Sequence, residues 1–226
     1  MQTYPIFAIL TGKPCLVVGG GAVGERKVQD LLAAGARVAV VSPHLTPNLA
    51  HLAAKGEIDY LAEDFSERHL NGMVLVIGAT DDLQVNAHIS ATAQARGIWV
   101  NIVDAPQLCT FIVPAQVHRG DLTVAVSTGG ASPALARKLR LELEKHFGPE
   151  YGPYLALLQA VREKLLKARR GHPDNAALFK RLVDSPLLEA LCRQDRPRVQ
   201  QLLKEVMGTA LNPSDLAEVV AEGFKV

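Results

Sequence analysis

An excess of either charge is absent from this chain. Its 24 Lys and Arg residues stand against 23 Asp and Glu, for a net charge of +1. A general nucleic-acid binder usually carries a basic surplus, so nucleic acid is excluded as an expected partner. Cysteine is scarce too. Cys15, Cys109 and Cys192 are odd in number and have no CxxC spacing, which excludes a disulfide framework and a zinc site and fits a reducing compartment. The seven histidines never fall at HxxxH or Cys/His ligand spacing, so no metal site is expected. No apolar run approaches the roughly 20 residues of a membrane span. The opening "MQTYPIFAIL" has no basic n-region and is interrupted by Pro5. Repeats and low-complexity tracts are also missing. These absences predict a soluble, cytoplasmic protein without a membrane or nucleic-acid partner.

What is present is an alternation. With 226 residues, 48% of them hydrophobic, the chain can bury one large core or two small ones. "PCLVV" at 14–18 reads as a buried strand ending at glycine, followed by a helix from Ala22 to Ala34 closed by Gly35. "ARVAVVSP" is a second strand, and Thr46 with Pro47 opens the next helix. "IDYLA", "MVLVIGATDD" and "IWVNIVD" are further strands, with a helix over "DLQVNAHISATAQARG" between the last two. This pattern predicts an α/β fold with a Rossmann-type, doubly wound parallel sheet. Past residue 112 the texture changes. Two β-rich runs flank the turn "HRGD", and from Ser132 nearly everything reads as helix, in shorter pieces broken by Pro173, Pro186, Pro197 and Pro213. Three parts are expected: 1–112, an α+β segment over 113–148, and a helical domain over 149–226.

The stretch "LVVGGGAVGERK" places Gly19, Gly21 and Gly24 in G-x-G-x-x-G spacing between a strand and a helix. The first glycine permits the tight turn, the second lets backbone approach a pyrophosphate, and the third lets helix and strand pack closely. The helix N-terminus, at Ala22 and Val23, then offers N–H groups to phosphates. This context favours a dinucleotide site over a bare structural turn. Where an NAD site usually carries an acid, at the end of the second strand, this chain has Ser42, then Pro43 and His44. Serine can bond a ribose hydroxyl, and Arg37 lies at the wrong end of its strand to hold a 2′-phosphate. NAD is favoured over NADP.

Ligands of open α/β sheets sit beyond the carboxyl ends of the strands. Three such ends are polar: Ser42-Pro43, "ATDD" with Thr80, and "NIVDAP" with Asn101 and Asp104. Asp104 is either a turn-forming residue or a catalytic carboxylate at the nicotinamide end. Asp81 and Asp82 read as helix caps. "STGGASP", with Ser127 and Thr128, starts another helix capped by Ser132, and Arg137 and Lys138 follow one turn in. They form either a cradle for carboxylates or a solvated face.

Together, "PIFAILTGKPCLVVGGGAVGERK", "GATDD", "VNIVDAPQLCTFIVPA" and "VAVSTGGASPALARKLR" resemble the precorrin-2 dehydrogenase module of siroheme synthase, from about residue 4 to about 145. The resemblance implies NAD-dependent oxidation of precorrin-2 to sirohydrochlorin, with iron insertion in some members. It also implies a homodimer built through the segment after the nucleotide domain. The family's essential aspartate falls on Asp104, and its nucleotide contacts fall on Ala22, Val23, Pro43 and His44. Thr128 stands where fused bacterial members can carry a phosphorylatable serine. The methyltransferase half of the fused enzymes is absent from the sequence.

The residue chemistry agrees with the resemblance. Dehydrogenation needs a hydride acceptor and a base, and the Asp104 carboxylate can be that base. Inserting Fe²⁺ or Co²⁺ would also need a base for the pyrrole protons. His118 is near in sequence, but a surface histidine is the plainer reading. Arg119, Arg137, Lys138 and Arg140 are the basic residues available for a polycarboxylate. A rival of another class is an NAD(H)-binding redox-sensing module without turnover, although no DNA-reading helix or effector surface is evident.

Overall fold

The strands are continuous apolar runs because both of their faces are covered. In the computed structural model, which describes residues 2–224, β1 (Pro14–Val18) sends alternate side chains into two separate cores. Cys15 and Val17 pack with Val28 and Leu31 of α1 (Ala22–Ala33) and Leu49 of α2 (Pro47–Ala54). Leu16 and Val18 pack on the opposite face with Ile89 and Ala93 of α3 (Leu83–Ala95). Burial of Cys15 pushes its thiol up to about 11, and all three cysteines are free.

The remaining strands are β2 (Arg37–Val41), β3 (Asp59–Leu61), β4 (Leu75–Gly78) and β5 (Trp99–Ile102). They form one parallel sheet of order β3-β2-β1-β4-β5. The chain therefore leaves β1 toward one side and returns to its other side with β4. That reversal opens a crevice above the carboxyl ends of β1 and β4, the usual ligand position in this architecture. The Rossmann-type sheet expected from the sequence is the one observed. Local capping chemistry sets the helix starts. The Thr46 hydroxyl accepts from Leu49 N at 3.2 Å, and Asp82 accepts from Gln84 N and Val85 N at 2.8 and 3.1 Å. The outer edge of β5 is covered by its own chain, since Thr110 N donates to Val100 O at 2.8 Å.

The chain divides into two compact units after Val113. In the second, β6 (Ala115–Arg119) and β7 (Leu122–Val126) form an antiparallel hairpin across Gly120-Asp121, with Gly120 at φ +57°. Next come α4 (Pro133–His146), α5 (Tyr151–Arg169), α6 (Asn175–Val183), α7 (Leu187–Cys192), α8 (Arg196–Met207) and α9 (Pro213–Glu222). The sequence suggests a boundary near 148–150. In the structure the hairpin packs on the first turn of α5, so close that a Cβ on Gly120 would lie 3.1 Å from Gly152 Cα. Arg119 Nε also donates to Phe147 O, at 2.9 Å. Leu157, Val161 and Leu165 of α5 share a core with α7, α8 and α9. Pro197 and Pro213 do not interrupt helices here. They sit in the first turns of α8 and α9, behind the caps Asp195 and Asn212, where a missing N–H costs nothing. Among the described residues no helix is long and apolar enough to cross a membrane.

Candidate functional site

Four glycines build the floor of the crevice, and each has a different reason. Gly19 has φ +114°, and a Cβ there would stand 2.3 Å from Ala79 O. Only glycine lets the end of β1 lie this close to the end of β4. At Gly24 a Cβ would stand 2.1 Å from Gly19 O, so this glycine brings α1 down onto the turn. At Gly20 it would meet His44 O at 2.1 Å. This third contact, which the G-x-G-x-x-G reading does not include, lets the loop after β2 close over the turn. Gly21 differs, because a Cβ there has no neighbour within 4 Å. It is the N-cap of α1 and no side chain caps that end. The first-turn N–H groups at Ala22 and Val23 are thus presented to the crevice with an open approach above Gly21. That cradle suits a pyrophosphate.

The crevice holds about 870 Å³, within the usual range for small-molecule and cofactor sites. Its walls bring together Gly19, Gly21, Ala22, Val23, Ser42, Pro43, His44 and Thr80, all expected from the sequence. Gly24 lies beneath them as packing. The Ser42 hydroxyl donates to His44 O at 2.8 Å, which shapes the turn while its lone pairs stay available. Behind this loop Glu25 accepts from the Thr46 hydroxyl and, at 3.0 Å, from Asn48 Nδ2, bracing α2 against α1. Asn86 Nδ2 holds Thr80 O at 2.9 Å. Arg37 is exposed at the start of β2, at the opposite edge of the sheet from Ser42.

One wall was not expected. Glu63, Asp64 and Phe65, just past β3, line the same crevice. The signal was available, because "AEDF" is a fourth polar strand end, but β3 is only three residues long and its terminus is hard to see in sequence. With Asp81 and Asp82, the lining carries four carboxylates, and His44 is the one basic side chain among the lining residues.

Asp104 is not among the residues lining this crevice. It is exposed, two residues beyond β5, and has φ +59°. The left-handed region is uncommon for a residue with a side chain, and Asp and Asn tolerate it best. Pro106 begins a 3₁₀ turn just after it, and Cys109 folds back so that Ile102 N donates to its sulfur at 3.2 Å. Asn101 is turned inward, with Nδ2 donating to Phe111 O at 3.0 Å.

In the second unit, the turn between β7 and α4 is closed by its own hydroxyls. Ser127 Oγ accepts from Gly129 N at 3.1 Å, and Thr128 Oγ1 accepts from Ser132 N at 3.1 Å. Ser132 caps α4 by accepting from Leu135 N at 3.2 Å. Arg137 is exposed on the first turns of α4, and Lys138 lies 3.9 Å from Glu142 on the same helix. Arg140 pairs with Glu144, and Arg119 is spent on carbonyls at the end of α4. His118 lies on β6, exposed, bonded to Thr123 and Gln116.

Known proteins match this arrangement. A family model described as putative NAD(P)-binding fits residues 6–115, and one described as the central part of a sirohaem biosynthesis protein fits 119–146. A siroheme synthase from Methylobacillus flagellatus is 54% identical over 163 residues, covering 72% of this chain and 35% of the relative. One from Thioalkalivibrio sulfidiphilus is 41% identical over 218 residues, covering 95% and 44%. The solved structure of SirC, a precorrin-2 dehydrogenase, matches with a TM-score of 0.76 at 25% identity, covering 90% of this chain and 98% of that one. The chain belongs with the siroheme synthases over the part of their length that it matches. The dinucleotide model covers the whole parallel sheet and supports a nicotinamide dinucleotide as its cofactor class. The central model covers most of the β6–β7 hairpin and α4. The chain spans less than half the length of the two siroheme synthases.

Proposed function

We propose that this module oxidises precorrin-2 to sirohydrochlorin with NAD. The observation that carries the reading is the open cradle at Gly21, backed by a likeness that extends over 98% of a precorrin-2 dehydrogenase. The oxidation removes one hydride and one proton from the tetrapyrrole. Bound NAD supplies the two-electron acceptor. The chain's own part is to hold the dinucleotide along the crevice, present the substrate, and take the proton on Asp104. The four lining carboxylates favour NAD, because a 2′-phosphate would enter a field of its own sign, with no Arg or Lys among the lining residues. Ser127, Thr128, Arg137 and Lys138 are proposed to meet the substrate, whereas Asn101, expected there from the sequence, has its amide turned inward onto Phe111 O. Arg137, exposed on α4, is the one proposed to pair with the substrate's carboxylates.

The test is direct. Purified protein given precorrin-2 and NAD is expected to form NADH and sirohydrochlorin in equal amounts, followed by absorbance. Binding of NADH without turnover of precorrin-2 would instead favour a redox-sensing module. Sirohydrochlorin with Fe²⁺ or Co²⁺, supplied separately, assays metal insertion, for which the metal ion is a second substrate and Asp104 the proposed base.

The module is also proposed to be a homodimer joined through residues 113–147. Over its 14 residues α4 buries none, and Leu135 and Leu141 are 46% and 43% exposed. The hairpin buries only Val117. Such apolar faces on a helix and a two-stranded ribbon call for a partner, and a symmetric second copy is the simplest one. Light scattering at micromolar concentration is expected to give twice the 24.3 kDa chain mass. A monomer there would count against this interface.

A further inference from the structure

The crevice has a carboxylate that no sequence motif predicts, held as a recognition group is held. Glu63 lies two residues past β3 and lines the dinucleotide crevice next to Ser42. The two strand ends are tied together. Ser42 N donates to Leu61 O at 3.2 Å, and the Tyr60 hydroxyl donates to Ser42 O at 3.0 Å. The carboxylate is also oriented. Ser66 N donates to Nδ1 of buried His69 at 3.0 Å, so the ring's proton sits on Nε2, which donates to Glu63 Oε1 at 2.9 Å. Arg68 bonds the other oxygen. Neither His69 nor Arg68 lines the crevice, so both hold the carboxylate from behind. The His69 bond foremost, and then Arg68, keep Glu63 below the usual carboxylate range and therefore ionised. A carboxylate has about four acceptor positions, so each oxygen keeps one for a ligand.

We propose that Glu63 is the residue that selects NAD over NADP: it accepts a bond from the adenosine ribose and repels a 2′-phosphate. It thus takes from the end of β3 the role that an acid at the end of β2 fills in many dinucleotide folds, where this chain has Ser42. The inference rests on the crevice being a dinucleotide site. Its selectivity follows from sign. A ribose hydroxyl gains a charge-assisted bond, whereas a phosphate faces a carboxylate that two donors hold in place.

Calorimetric titration of the whole protein with NAD and with NADP tests it. The wild type is expected to prefer NAD. Glu63→Gln keeps an oxygen for His69 and removes the charge. It should weaken NAD by about tenfold or more, the scale of a lost bond to a charged group, while NADP holds or tightens. Glu63→Lys, a second variant in case the first folds poorly, should reverse the preference. A thermal melt confirms that each variant is folded. A merely structural Glu63 would weaken both dinucleotides alike. An unchanged NAD/NADP ratio in a folded variant, or a wild type that binds both equally, overturns the role of Glu63 and leaves the crevice assignment standing. A wild type that binds neither dinucleotide overturns the crevice assignment itself.

Discussion

Asp104→Asn is expected to leave the protein folded and able to bind NAD, and to lower precorrin-2 oxidation by about 10²–10⁴-fold, the usual cost of losing a general base. The structure makes asparagine the sharp substitution. At φ +59° the backbone is left-handed, and asparagine occupies that region as readily as aspartate. Size, most hydrogen bonding and backbone preference are all kept, and basicity alone is lost. Asp104→Ala is a poorer probe, because alanine in the left-handed region costs roughly 1–2 kcal/mol and mixes strain with chemistry. Single-turnover absorbance with saturating NAD reads the effect. An asparagine variant with full activity would return Asp104 to the role of a turn residue. If the module also inserts metal, the same variant should lose that activity, since one carboxylate would take the protons in both reactions.

Gly21→Asp is expected to abolish dinucleotide binding without unfolding the chain. The two halves of that statement come from separate observations. Beyond its two chain neighbours, no atom lies within 4 Å of a Cβ at Gly21, and its φ of −80° suits any residue, so the fold can accept a side chain. The space that side chain would enter is the approach to the α1 N-terminus, and a carboxylate there repels a pyrophosphate and occupies its donors. Gly19→Ala is the contrast. It puts a Cβ 2.3 Å from Ala79 O at φ +114°. Backbone strain and overpacking then each cost on the order of 1–3 kcal/mol, so stability should fall along with binding. Thermal melts beside NAD titrations separate the two cases. Normal NAD affinity in a folded Gly21→Asp protein would remove the crevice as the dinucleotide site.

The parallel sheet was legible in the chain because its signals are local. Both-face burial makes "PCLVV" and "RVAVV" continuous apolar runs, and glycine, proline and capping residues punctuate them. Thr46, Asp82 and Ser132 act as caps in the structure as their positions suggested, since a cap depends only on the next three residues. The glycine spacing likewise marked the floor of the crevice before any fold was known. Other features depend on pairs of segments far apart in sequence, and no local pattern encodes them. Gly20 must be glycine because the carbonyl of His44 lies over it, 24 residues on. Glu63 reaches the crevice because parallel pairing sets β3 beside β2, and it is oriented by a histidine that folds back from a later turn. Asp104 was visible as a polar strand end, whereas its left-handed backbone was not, because φ there follows from how residues 102–109 close on themselves. The hairpin's tight packing on Gly152 is likewise invisible in the run "FGPEYGP", which suggests a boundary near 148–150, whereas Arg119 and Gly120 lie against it. Sequence specifies where backbone can turn and which faces are apolar; which side chains then meet is fixed by strand order, through contacts between residues the chain holds far apart.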